Sequence, residues 1–77
     1  MGYFIIDDCG TEYSYECAGA WNEENALKKF RAEWEKLTQH DRDRRKHFQL
    51  VEGEIIPPND PCCESELFVN RIIFSFK

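Results

Sequence analysis

Residues 22–37, Asn-Glu-Glu-Asn-Ala-Leu-Lys-Lys-Phe-Arg-Ala-Glu-Trp-Glu-Lys-Leu, decide how this chain folds. Leu27, Phe30, Trp34 and Leu37 recur at steps of three, four and three, which places them on one stripe of an α-helix. Asn22 is a good N-cap, and Glu23 and Glu24 put negative charge at the positive end of the helix dipole. Trp21, just before the cap, is spaced to pack on Ala26 as a hydrophobic staple. Glu24 and Lys28 stand i, i+4 in the favourable order, worth about 0.3 kcal/mol. The far end is open, because residues 38–46 contain no apolar side chain and read either as a frayed helical extension or as a solvated loop.

Strand patterns lie on both sides of this segment. Tyr3 to Asp7 is a short apolar run, and Asp8-Cys9-Gly10 follows as a turn in which Gly10 supplies the positive φ of a tight loop. Thr11, Tyr13, Tyr15 and Cys17 then alternate with Glu12, Ser14, Glu16 and Ala18, the period of a half-buried strand. The two strands read as an antiparallel hairpin whose aromatic face, Tyr13 and Tyr15 included, lies under the helix. Phe48, Leu50 and Val51 open a third strand that resumes at Ile55 and Ile56, with a bulge or bend expected at Gly53. Pro57, Pro58 and Pro61 make 57–65 a loop. The last strand, Leu67 to Phe76, is read with Phe68, Ile72, Phe74 and Phe76 on one face. The order strand, strand, helix, strand, strand predicts an α+β fold, a small two-layer sandwich in which one helix covers a four-stranded, mainly antiparallel sheet.

At 77 residues the whole chain, 1–77, is expected to be one domain. A domain this small buries only about 60% of its unfolded surface, so large side chains must carry the core. Six Phe, three Tyr and two Trp supply them. No run approaches the roughly 18 apolar residues of a membrane helix, and the N-terminus lacks the basic-then-apolar pattern of a signal peptide, so a cytoplasmic protein without membrane association is expected. A reducing compartment keeps Cys9, Cys17, Cys62 and Cys63 free, although a disulfide from Cys9 to Cys62 or Cys63 depends on loop proximity that sequence does not decide.

Chemistry is sparse. The cysteines at 9, 17, 62 and 63 and the histidines at 40 and 47 form no C-x2-C pair, so no metal is expected, and Cys17 reads as a buried thiol. Glu33 and Glu35 cannot share a helix face, no nucleophile is paired with a base, and no phosphate loop is present, which points away from an enzyme and from any cofactor. Arg42, Arg44, Arg45 and Lys46 form the one basic cluster, diluted by Asp41 and Asp43, and would be the contact set of a small nucleic-acid binder. The net charge of −5 opposes that reading and favours a protein partner with a basic surface. Glu12, Glu16, Glu23 and Glu24, on the sheet edge and helix start, are the candidate contacts. A homodimer joined by exposed sheet edges is a third possibility.

The passage from Glu12 to Phe30, with Tyr13-Ser14-Tyr15-Glu16-Cys17 leading through Ala18-Gly19-Ala20-Trp21 into Asn22-Glu23-Glu24, resembles the strand-to-helix unit of very short proteins from phages and mobile elements. Such proteins often bind host machinery on their own, and some, anti-CRISPR proteins among them, are acidic inhibitors that occupy a nucleic-acid site. The resemblance implies a class of function, an inhibitor of a nucleic-acid-handling complex, and carries over no site residue.

Overall fold

The computed structural model describes residues 2–59 and 65–77. Its order is β1 (Gly2–Asp8), β2 (Tyr13–Cys17), α1 (Glu23–Lys36), α2 (Gln39–Arg44), β3 (His47–Ile56) and β4 (Glu66–Ser75). The strands form one antiparallel sheet in the order β2-β1-β3-β4. The expected α+β sheet with helical cover is therefore present, with one correction: two helices separate the hairpins instead of one.

Capping chemistry explains both helices. The Asn22 side chain accepts the Asn25 N–H at 2.8 Å and starts α1. The Thr38 hydroxyl accepts the Asp41 N–H at 3.1 Å and starts α2. That second helix buries no residue of its own. It is tied to α1 by its own Arg42, whose Nε and Nη2 donate to the Trp34 carbonyl at 3.3 and 3.2 Å while its guanidinium stacks 5.0 Å from the Trp34 ring. Thr38-Gln39-His40-Asp41 is a capping-box pattern, and it is the one signal by which sequence could have found α2. Apolar periodicity is silent there.

The helix stripe packs as read. Phe30 is fully buried, stacked on Phe48 at 5.0 Å and in contact with Phe74 and Phe76. Trp34 stacks on Phe76 at 4.6 Å with the rings nearly parallel. Ile5, Ala18, Ala26 and Leu50 complete this core. The staple is absent, because Trp21 is 88% exposed while Ala26 turns into the core. Cys17 is likewise exposed, not buried as expected.

The other face of the sheet departs further from expectation. Tyr13 and Tyr15 pair with Asp8 and Ile6, which puts them on the side away from the helix, where Phe4, Ile6 and Val51 form a second buried cluster. Tyr15 packs edge-on to Phe4 at 6.5 Å, and Leu67 closes over the same cluster. The Tyr15 hydroxyl donates to the Ser65 carbonyl at 3.0 Å, so the base of β4 is drawn toward β2 across this face. The physical cause is that α1 lies over β1 and β3, whose Ile5, Phe48 and Leu50 fill its apolar stripe and leave no room for β2 aromatics.

The bulge expected near Gly53 is present. Register shifts between Leu50 and Val51 and between Glu52 and Gly53 leave Ile73 and Asn70 as extra residues in β4. They also split the predicted single face of β4. Ile72 pairs with Val51 on the helix-free side, whereas Phe74 and Phe76 contact Phe30 on the helix side. At the other hairpin Gly10 takes φ +88° as read, and its N–H is accepted by the Asp8 carboxylate at 2.9 Å. The predicted loop 57–65 is non-strand at 57–59 and 65, and Cys62 and Cys63 lie outside the described residues.

Candidate functional site

Because α1 covers β1 and β3, the helix-side face of β2 at the sheet edge is left open. A groove of about 270 Å³ occupies this space between β2 and the second half of α1. Its floor is Ile5, Leu37 and Phe48, and its walls carry the carboxylates of Asp7, Glu16 and Glu33. Period-two alternation and the β1–β2 register place them: Glu16 pairs with Ile5 and Ser14 with Asp7, so the small Ser14 side chain opens the groove where a larger one would fill it. Glu33 sits at the margin of the helix stripe, three residues after Phe30 and four before Leu37, and turns toward the same space.

The groove carboxylates differ in how far they are neutralised. Glu33 pairs with Lys36 at 3.3 Å. Asp7 Oδ1 lies 2.7 Å from Arg45 Nε, held by charge rather than by an aligned hydrogen bond, with the Arg45 side chain only 16% exposed. Glu16 is exposed and has no cation beside it among the described residues. An apolar floor beneath a partly unneutralised acidic wall suits a ligand that brings positive charge on an aliphatic stem, as Lys and Arg side chains do.

The four acidic candidates do not form one surface. Glu12 and Glu16 lie together at the β2 edge, both exposed. Glu23 and Glu24 begin α1, whose first turn is tied to the opposite edge of the sheet. There the Arg71 Nη2 donates to Glu23 Oε1 at 2.7 Å and its Nε to Glu52 at 3.3 Å, joining β4, α1 and β3. The hydrogen bond to Glu23, then that to Glu52, raises the Arg71 pKa above its ordinary value, so this cation stays charged. Glu24 makes only a long contact to Lys28, at 3.9 Å. Sequence reasoning missed the convergence of Asp7 and Glu33 with Glu16, because convergence depends on strand register and on where the helix axis lies.

The basic cluster is divided by the fold. Arg42 closes the end of α1, and Arg45 holds Asp7 while Nη1 donates to the Asp41 carbonyl at 3.3 Å. Arg44 and Lys46 remain exposed, and the Lys46 backbone N–H donates to the Asp8 carbonyl. Two of the four cations are thus committed to internal contacts.

The chain matches no known protein family, no curated protein and no solved structure. Among the described residues no group of three or more His, Cys, Asp or Glu side chains is placed to hold a metal ion, and no helix is long and apolar enough to cross a membrane.

Proposed function

We propose that this chain is a non-enzymatic protein-binding module that receives a basic segment of its partner in the groove between α1 and β2. The observation that carries the reading is the grouping of Asp7, Glu16 and Glu33 around an apolar floor beside the unpaired edge of β2. Antiparallel ladders leave alternate N–H and C=O groups of an edge strand unpaired, and since Ala18 N–H donates to Tyr3 in β1, those of Tyr13, Tyr15 and Cys17 point outward. An extended segment can pair with them while its Lys or Arg side chains enter the groove. The partner class is a nucleic-acid-handling complex whose phosphate-binding surface is already basic. Occupation of that surface by an acidic module is steric or electrostatic blockade, the action of an anti-CRISPR-like inhibitor from a phage or mobile element.

The test is a pull-down with tagged protein from lysate of the source organism or its host, followed by titration of the purified partner at low and high salt. Glu16→Lys and Glu33→Lys are each expected to weaken binding about tenfold, equivalent to about 1.4 kcal/mol, and to flatten the salt dependence. Arg44→Glu and Lys46→Glu are expected to leave it unchanged. Arg45→Glu is unsuitable, because it sets a second carboxylate against half-buried Asp7. Recovery of nucleic acid alone, lost on Arg44→Glu or Lys46→Glu, overturns the reading.

A further inference from the structure

The opposite edge of the sheet has a different chemistry. β4 runs for 10 residues, and between Glu66 and Ser75 its one charged side chain is Arg71. Arg71 is already neutralised by Glu23 and Glu52. Edge strands of this length are normally blunted by Lys, Pro or brevity. Here exposed apolar side chains stand instead: Phe68, Val69, Ile72 and Phe74 on β4 and Ile55 and Ile56 on its partner strand. Six of the eight exposed large hydrophobics among the described residues belong to this one hairpin.

The order of residues along β4 names the occupant. About a two-fold axis between Asn70 and Arg71, an antiparallel copy sets Val69 opposite Ile72 and Phe68 opposite Ile73. Val69 and Ile72 both lie on the helix-free side, as their partners Gly53 and Val51 do, while Ile73 packs into the helix-side core and Phe68 alternates to that side. Like meets like on both faces. The bulges put Leu67 and Phe74 on opposite faces, which limits the matched stretch to Phe68–Ile73. A two-fold contact requires this self-complementarity, since each patch meets itself.

We propose that β4 pairs edge to edge with β4 of a second copy, in the register that sets Val69 against Ile72, to give a continuous eight-stranded sheet. This goes beyond the groove reading and is independent of it, because β2 and β4 are the two opposite edges of the sheet.

Sedimentation equilibrium of the full chain over roughly 1–100 µM tests the contact. The expected result is a concentration-dependent mass rising to twice the 9.2 kDa of one chain. A mass of one chain throughout overturns the proposal. Ile72→Lys and Val69→Glu change positions 56% and 37% exposed in the single chain, so the fold is retained while each variant alone is expected to be monomeric. Mixing the two variants sets the introduced carboxylate of one chain opposite the introduced ammonium of the other and is expected to restore the dimeric mass. A mixture that stays monomeric while the wild type dimerises overturns the register.

Discussion

Gly53 tests the β3–β4 geometry at a single atom. An ideal Cβ at this position lies 2.2 Å from the Phe68 carbonyl oxygen, 3.1 Å from its carbon and 3.3 Å from Val69 Cα. All three are backbone atoms, so no side chain can swing aside. Ordinary C···O contacts begin near 3.3 Å, and Gly53→Ala must therefore push β4 away by about 1 Å. Forcing a methyl group into such a site costs roughly 1–3 kcal/mol, and loosening one or two adjacent ladder hydrogen bonds adds about 1 kcal/mol each. The alanine restricts the unfolded chain and returns about 0.4–1 kcal/mol. The net destabilisation spans about 1–5 kcal/mol, centred on about 2–3 kcal/mol.

A domain of this length has a total stability of only about 4–12 kcal/mol, so the loss is a large share of it. At 4–8 °C per kcal/mol the central value lowers Tm by roughly 8–24 °C. Urea unfolding followed by tryptophan fluorescence measures it, with Trp34 in the core as the responding ring and Trp21 already in solvent. Gly2→Ala is the control, since a Cβ there meets only the Phe4 ring at 3.6 Å, an ordinary contact. If Gly53→Ala unfolds at the same urea concentration as Gly2→Ala, β4 does not bulge toward Gly53 and the reasoning fails.

Three further substitutions probe the aromatic core and the divided basic cluster. Phe76→Ala removes the ring stacked on Trp34 and touching Phe30 and is expected to cost about 2–4 kcal/mol, read by urea unfolding. Arg42→Ala is expected to cost about 1–2 kcal/mol through loss of its bonds to the Trp34 carbonyl and its ring contact, whereas Arg44→Ala stays within about 0.5 kcal/mol of wild type; thermal melts of the pair show whether the two arginines differ.

The legible parts of the fold were those with local causes. The α1 stripe, the Asn22 cap, the Gly10 turn and the break at Gly53 each depend on residues a few positions apart. The faces of β2 and β4 depend on something non-local. Tyr13 and Tyr15 form an apolar face that any covering helix suits, but β1 is apolar on both sides, with Ile5 under the helix and Phe4 and Ile6 away from it. A strand buried on both faces implies two cores, and its unbroken apolar run was the available signal. Alternation groups Ile72 with Phe68, Phe74 and Phe76, but the extra residues Asn70 and Ile73 flank Ile72, so parity is reversed at Ile72 and restored beyond it. The groove needed Asp7, Glu16 and Glu33 to converge from three elements, and no spacing along the chain encodes that.

The two edges of the sheet call for different forces, and this separates the two proposed contacts physically. At β2 the attraction is between exposed charges, which ions screen over about 8 Å at physiological ionic strength. At β4 the matched residues are apolar, and exclusion of water from apolar surface is undiminished or strengthened by salt. A copy carrying a net charge of −5 is repelled by its twin at low salt, so added salt favours pairing at β4 for a second reason. High salt therefore releases a basic partner from the groove while it tightens the contact between copies. The sheet order β2-β1-β3-β4 places these opposing responses on opposite edges of one rigid layer, where each binding event leaves the other surface free.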